Sequence, residues 1–361
     1  MRLNTHFGAA LAAAITAGVA LVPANADEAA EPMRTSWGVP DLQGNWDFRT
    51  ITPFQRPEEL ADREFLTAEE VAEWEARAAD SKAERDITPS PEADASQGDL
   101  DVGYNSFFID TGTQTSPHMR TSLVVDPPNG RAPANTRDAL WRMAENRETW
   151  SRSPRTPADR PPATRCLIGF NAGPPMVSSA YNNMMKLVQG PGYVAILNEM
   201  VNDHRIIPTG GGEAAPEHIR FWQGDSVGRW EGDKLVVETT NFRPETNFRG
   251  SGKNLHLTEK FSRVDADTLR YEYTVNDPES FEAPFSVIHD MRRTDDDVYE
   301  YACHEGNVAM HLMLSGAREQ ERENPDAVDD TWLPTWFKGL PKKEDLLAAA
   351  EAEEGSADEG E

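Results

Sequence analysis

The stretch Val298 to Asn307, VYEYACHEGN, places Cys303, His304 and Glu305 side by side. A thiolate, an imidazole and a carboxylate in sequence could ligate a metal, attack an electrophile or close a disulfide. A thiolate metal site needs three or four Cys or His ligands at short spacing, and this chain has two cysteines and no CxxC. In an oxidising compartment, two thiols tend to pair. Cys166 and Cys303 are therefore expected to form a disulfide, with no metal assigned.

Two other motifs carry less. Gly224 to Gly228, GDSVG, matches G-x-S-x-G, but a nucleophile elbow needs a helix after the serine. Here the sequence continues RWEGDKLVV, which reads as strand and turn. His304 and His311 are seven residues apart with Gly306 between them, whereas a zincin needs two histidines four apart on one helix.

Strand alternation is more informative, because successive side chains point to opposite faces. In LHLTEKFSR one face carries Leu255, Leu257, Glu259 and Phe261. The matching rows are Leu269, Tyr271, Tyr273 and Val275, then Phe285, Val287, His289 and Met291. If these rows line one cavity, Glu259 is a carboxylate among apolar groups, with its proton affinity raised. Glu259, His289, Tyr271 and Tyr273 then form a candidate acid–base set. The competing reading pairs Glu259 with Arg205, Arg249 or another cation, leaving His289 as a core residue. A second candidate set, for binding a polar ligand, comprises Tyr181, Asn183, Asn198, Glu199, His204 and Arg205, with His304 and Glu305.

These groups need elements to position them. Residues 1–26 read as a signal peptide, with Arg2, the apolar run GAALAAAITAGVALV and the small-residue site Ala24-Asn25-Ala26. Residues 27–165 read as a first strand with a Gly-x-Trp element (Gly44, Trp46), then helices and wrapping loops. A helix over Thr67 to Asp86 opens on a Thr67–Glu70 capping box, and a second runs from about Thr136 to Trp150. Residues 166–320 read as nine short strands, the last being VYEYACHE, followed by a C-terminal helix. Residues 321–361 read as an acidic, largely disordered tail. The fold class is mainly β: an antiparallel up-and-down barrel inside an N-terminal wrap.

The formal charge of −27 makes nucleic acid and anionic membrane poor partners. No segment of the mature chain approaches the length of a membrane span. No Rossmann or P-loop signature implies a nucleotide, and no cofactor is assigned. The expected compartment is periplasmic or extracellular.

The motifs GVPDLQGNW, GPPM, PGYVAILNEM, GRWEGDKLVVETTNF, NFRG and YEYACHEGN together resemble a family of exported, mostly uncharacterised bacterial proteins. The Gly-x-Trp element and the meander also resemble lipocalin or calycin barrels. That second likeness implies a ligand-enclosing barrel, used elsewhere by carriers and by cofactor-free lyases, hydratases and isomerases, so fold leaves function open. Two main readings follow, beside a third, an envelope interaction protein using its wrapping N-terminal half, that draws support only from the long loops. One is a cofactor-independent enzyme acting on a small oxygenated molecule through Glu259. The other is a periplasmic carrier using the same residues without chemistry. For either, material recovered outside the cytoplasm should begin at Asp27, and an intact mass that still includes residues 1–26 would refute the export signal.

Overall fold

The computed structural model describes residues 33–87, 109–246, 248–324 and 340–358. The proposed signal peptide, most of the polar loop before residue 109 and parts of the acidic tail lie outside the described residues. Ten strands form one antiparallel sheet: β1 (Gly44–Asp47), β2 (Val124–Asp126), β3 (Met184–Gly190), β4 (Tyr193–Asn198), β5 (His204–Pro208), β6 (Asp225–Glu231), β7 (Lys234–Thr240), β8 (His256–Arg263), β9 (Thr268–Asn276) and β10 (Phe285–Thr294). Their spatial order is β5-β4-β3-β1-β10-β9-β8-β7-β6, with β2 pairing β10 beyond the end of β1.

The sheet rolls without closing into the expected barrel. Its two end strands, β5 and β6, share no ladder. They do meet: the Gly211 amide donates to the Gly228 carbonyl, and the backbone of β6 at Gly228 lies against Ile207 and Pro208. The cause is local. β5 is five residues long and ends at Pro208, which has no amide to give a neighbouring strand.

Period-2 alternation sets the core. The rows Leu257-Glu259-Phe261, Leu269-Tyr271-Tyr273-Val275 and Phe285-Val287-His289-Met291 are all buried on the concave side. Register lines up Glu259, Tyr273 and Val287, and beside them Phe261, Tyr271 and His289. At one end, Trp46 is fully buried with its indole N–H on the Leu42 carbonyl, and Arg263 lies over the ring at 4.9 Å. Gln189 ties the chain there by accepting from the Leu42 amide and donating to the Pro40 carbonyl.

The interior is filled. Met176, from the connection before β3, is fully buried in the core cluster, and its amide donates to the Tyr271 hydroxyl. The cavity expected between the strand rows is therefore occupied by the chain's own Ala172 to Met176 segment.

Helix α1 (Ala68–Ile87) starts at the expected capping box, with the Thr67 amide on Glu70 and the Glu70 amide on the Thr67 hydroxyl. Helix α2 (Arg137–Ser151) is capped by Thr136, whose hydroxyl accepts from the Ala139 amide. Helix α3 (Ala309–Glu323) follows the sheet. Helix α4 (Lys343–Asp358) forms within the segment read as disordered tail, because its Leu, Ala and Glu are strong helix formers. Lys343 pairs with Glu148, and Arg147 donates to the Leu340 carbonyl, which docks this segment on α2.

VYEYACHE is not a strand. Strand β10 already has β9 on one edge and β1 and β2 on the other, so the following segment has no edge to join. The side-chain amide of Asn202 instead bonds the Tyr301 backbone on both sides. The Cys166–Cys303 disulfide forms as expected, with a Cα separation of 5.9 Å, but it pins the proline-rich linker to this irregular segment rather than to a barrel strand. It spans 137 positions of sequence. Replacing both cysteines by serine should therefore destabilise the fold by about 2–5 kcal/mol in chemical denaturation. Thiol titration of the unreduced, denatured protein should find no free thiol.

Candidate functional site

The alternation that turns Glu259 inward also brings it against Arg205, which β5 presents from across the rolled sheet. The guanidinium forks onto the carboxylate, Nη1 to Oε2 at 2.7 Å and Nη2 to Oε1 at 2.8 Å. The Tyr271 hydroxyl donates to Oε1 at 2.7 Å, and Thr239 approaches Oε2 at 3.4 Å. Both oxygens are thus occupied, and the glutamate is fully buried. Burial opposes the charge on Arg205, but Glu259 outweighs it and holds the guanidinium above its ordinary value. Burial, reinforced by Glu259, holds the Tyr271 phenol well above its usual range.

The other two members of the acid–base set are elsewhere. His289 lies two strands from Glu259, roughly 10 Å by strand spacing, and no hydrogen bond joins them among the described residues. Its ring packs edge-on to Phe48, its Nε2 has no partner among the described residues, and burial lowers its pKa to about 4. Tyr273 sits opposite Glu259 in register, but its hydroxyl does not bond to the carboxylate. The structure hydrogen-bonds Glu259 to Tyr271 and Arg205; Tyr273 packs its ring on that of Tyr271 at 5.2 Å without bonding the carboxylate, and no hydrogen bond joins His289 to these groups among the described residues.

The polar-ligand set is also dispersed. Asn183 staples a loop, accepting from the Ser179 amide at 2.7 Å and donating to the Ser179 carbonyl at 2.8 Å. Asn198 donates to the Ala172 carbonyl, and Tyr181 packs edge-on to Phe170. Glu199 is buried, which raises its pKa, against opposing bonds from Tyr299 and Asn182. His304 and Glu305 are exposed in the turn after Cys303. Ser226, the serine of the GDSVG match, is in β6 and bonds Thr239 at 2.9 Å.

Two cavities among the described residues bear on these groups. One, of about 350 Å³, opens at the β5/β6 gap and is lined by Asp203, His204, Arg205 and Ser226 with Phe221 and Trp222. Burial raises the Asp203 carboxyl to about 6, although the Gly169 amide donates to it. The other, of about 300 Å³, lies outside the sheet among α2, the linker and the loop before β8. Its walls are largely apolar: Met143, Trp150, Pro161, Ala163, Ile168, Pro174 and Phe248, with Arg249 and Glu245 as its charged residues. Sequence reasoning named Arg249 only as a possible partner for Glu259. With Arg205 in that role, Arg249 faces a cavity, which no local pattern could reveal.

No protein-family model and no curated protein matches the chain. Among solved structures, the chain is similar to a point mutant of the fluorescent protein UnaG, at 13% identity over 37% of this chain and 86% of that one. The TM-score is 0.21, too low to carry an argument about fold or ligand.

A buried ion pair broken on one side leaves an uncompensated charge or polar group. Arg205→Met should therefore cost about 3–5 kcal/mol in urea or guanidinium unfolding, and Glu259→Gln should also be strongly destabilising. The double variant Arg205→Met/Glu259→Leu should lose less than the sum of the single Arg205→Met and Glu259→Leu changes. Additive losses would remove the pair from its structural role.

Proposed function

We propose that this chain is an exported binding protein for a small, largely apolar ligand, held in the cavity between α2, the linker and the loop before β8. The observation that carries the reading is this cavity of about 300 Å³, set outside a sheet whose interior is filled. Its volume lies at the lower end of the range for small-molecule sites, and walls that are mostly apolar with few polar groups are the usual composition of one. The signal-like N-terminus and the disulfide support an oxidising, extracytoplasmic location.

The lyase, hydratase or isomerase reading requires Glu259 to exchange a proton with a substrate. Both of its oxygens are taken by Arg205, Tyr271 and Thr239, and it lines neither cavity described above. A lipocalin-like carrier, with its site moved from the interior to the wrap, fits these constraints better.

The fluorescent apolar probe N-phenyl-1-naphthylamine should bind the purified chain with a rise in emission. Ala163 lines the cavity with a small side chain, so Ala163→Phe should fill the space and weaken the probe by about tenfold or more. Melting behaviour should be unchanged. Equal binding to wild type and Ala163→Phe would place the probe elsewhere and refute this site.

A further inference from the structure

The charge of this cavity is set by one donor that lacks an acceptor among the described residues. Arg249 lines it, and no hydrogen bond or ion pair to its guanidinium occurs among the described residues. Shortage of acid does not explain this, since the chain carries 62 Asp and Glu against 35 Lys and Arg. The other charged residue of the cavity, Glu245, is held by Arg243 through bonds of 2.9 and 3.2 Å. Glu259 is committed to Arg205, and Asp290 to Arg270.

Arg249 is also held in place before any ligand arrives. Its carbonyl accepts from the Asn135 side chain at 3.0 Å. Its guanidinium lies 4.3 Å over the Phe54 ring, which packs edge-on against Phe248 and Phe285. An aromatic face favours a cation but supplies no hydrogen-bond acceptor in the guanidinium plane. Surrounding protein pushes the guanidinium below its ordinary value, with Tyr273 acting weakly against that. The side chain is exposed and lines the cavity.

Tyr273 stands behind this wall and is not among the residues that line the cavity. It is 2% exposed, its ring packs edge-on to cavity-lining Phe248, and its hydroxyl has no hydrogen-bond partner among the described residues. It is also close enough to Arg249 for the two groups to influence each other's ionisation.

We propose that Arg249 forms the anion-recognising end of the cavity, and that the ligand is an organic carboxylate with an apolar body. The carboxylate would take guanidinium N–H bonds as a two-pronged fork, while the apolar walls enclose the rest. This rests on the binding reading above and adds the charge of the ligand to it.

The test displaces N-phenyl-1-naphthylamine from the full chain at neutral pH with decanoate and, separately, with 1-decanol, which share a chain and differ in charge. Decanoate should displace the probe from wild type at about tenfold lower concentration than decanol, the factor expected of one charge-assisted contact. Arg249→Met should abolish that preference, read as the ratio of the decanoate and decanol concentrations, while the melting temperature holds. Arg249→Lys should retain part of it, which separates charge from packing. Probe binding with no preference for decanoate on wild type, or a preference that survives Arg249→Met, would overturn the carboxylate assignment and leave the binding reading intact. A wild-type chain that binds neither the probe nor decanoate would overturn the binding reading, and this inference with it.

Discussion

Arg205 and Glu259 are two charges removed from water, and the sheet is arranged so that each is the other's solvation. Taking either ion alone into the interior costs several kcal/mol, so the two strands that carry them must approach with good geometry. Strand β5 has to curl over β8, 54 residues later in sequence, until the fork and the carboxylate meet. Thr239, Ser226 and Tyr271 add further bonds around the pair, while the Arg205 Nε is left without a partner among the described residues. This cross-sheet contact sets the roll of the sheet even though no ladder joins its end strands.

The same contact determines where small molecules can go. A polar cluster with its acceptors occupied needs walls that exclude water, and the linker supplies one by sending Met176 into the core and its amide onto Tyr271. The linker is held on its outer side by the disulfide at Cys166, and the Gly169 amide bonds Asp203 at the start of β5. Space that an empty barrel would have enclosed is displaced outward, to the cavity bounded by Gly169, Pro174 and Pro175 on one side and α2 on the other. One segment therefore serves as plug for the sheet and wall for the candidate site.

What sequence alone determined was local. A period of two assigned one row of four residues in each of three strand segments to the buried face, including Glu259, Tyr271 and His289, because β geometry leaves side chains two directions to point. The Thr67–Glu70 box and the Thr136 cap located helix starts, because orphan amides there need acceptors within three residues. Two cysteines in a chain with an export-like N-terminus sufficed for the pairing. Tertiary structure decided the rest. Which cation meets Glu259, whether Met176 or a ligand fills the space beside Tyr271, and whether VYEYACHE finds a free edge all depend on chain segments brought together from far apart. Arg205 and Arg249 look alike in sequence; one is locked across the sheet and the other faces a cavity. That difference arises from how the chain wraps, because a charge's partner is set by proximity in space while a side chain's face is set by its own backbone.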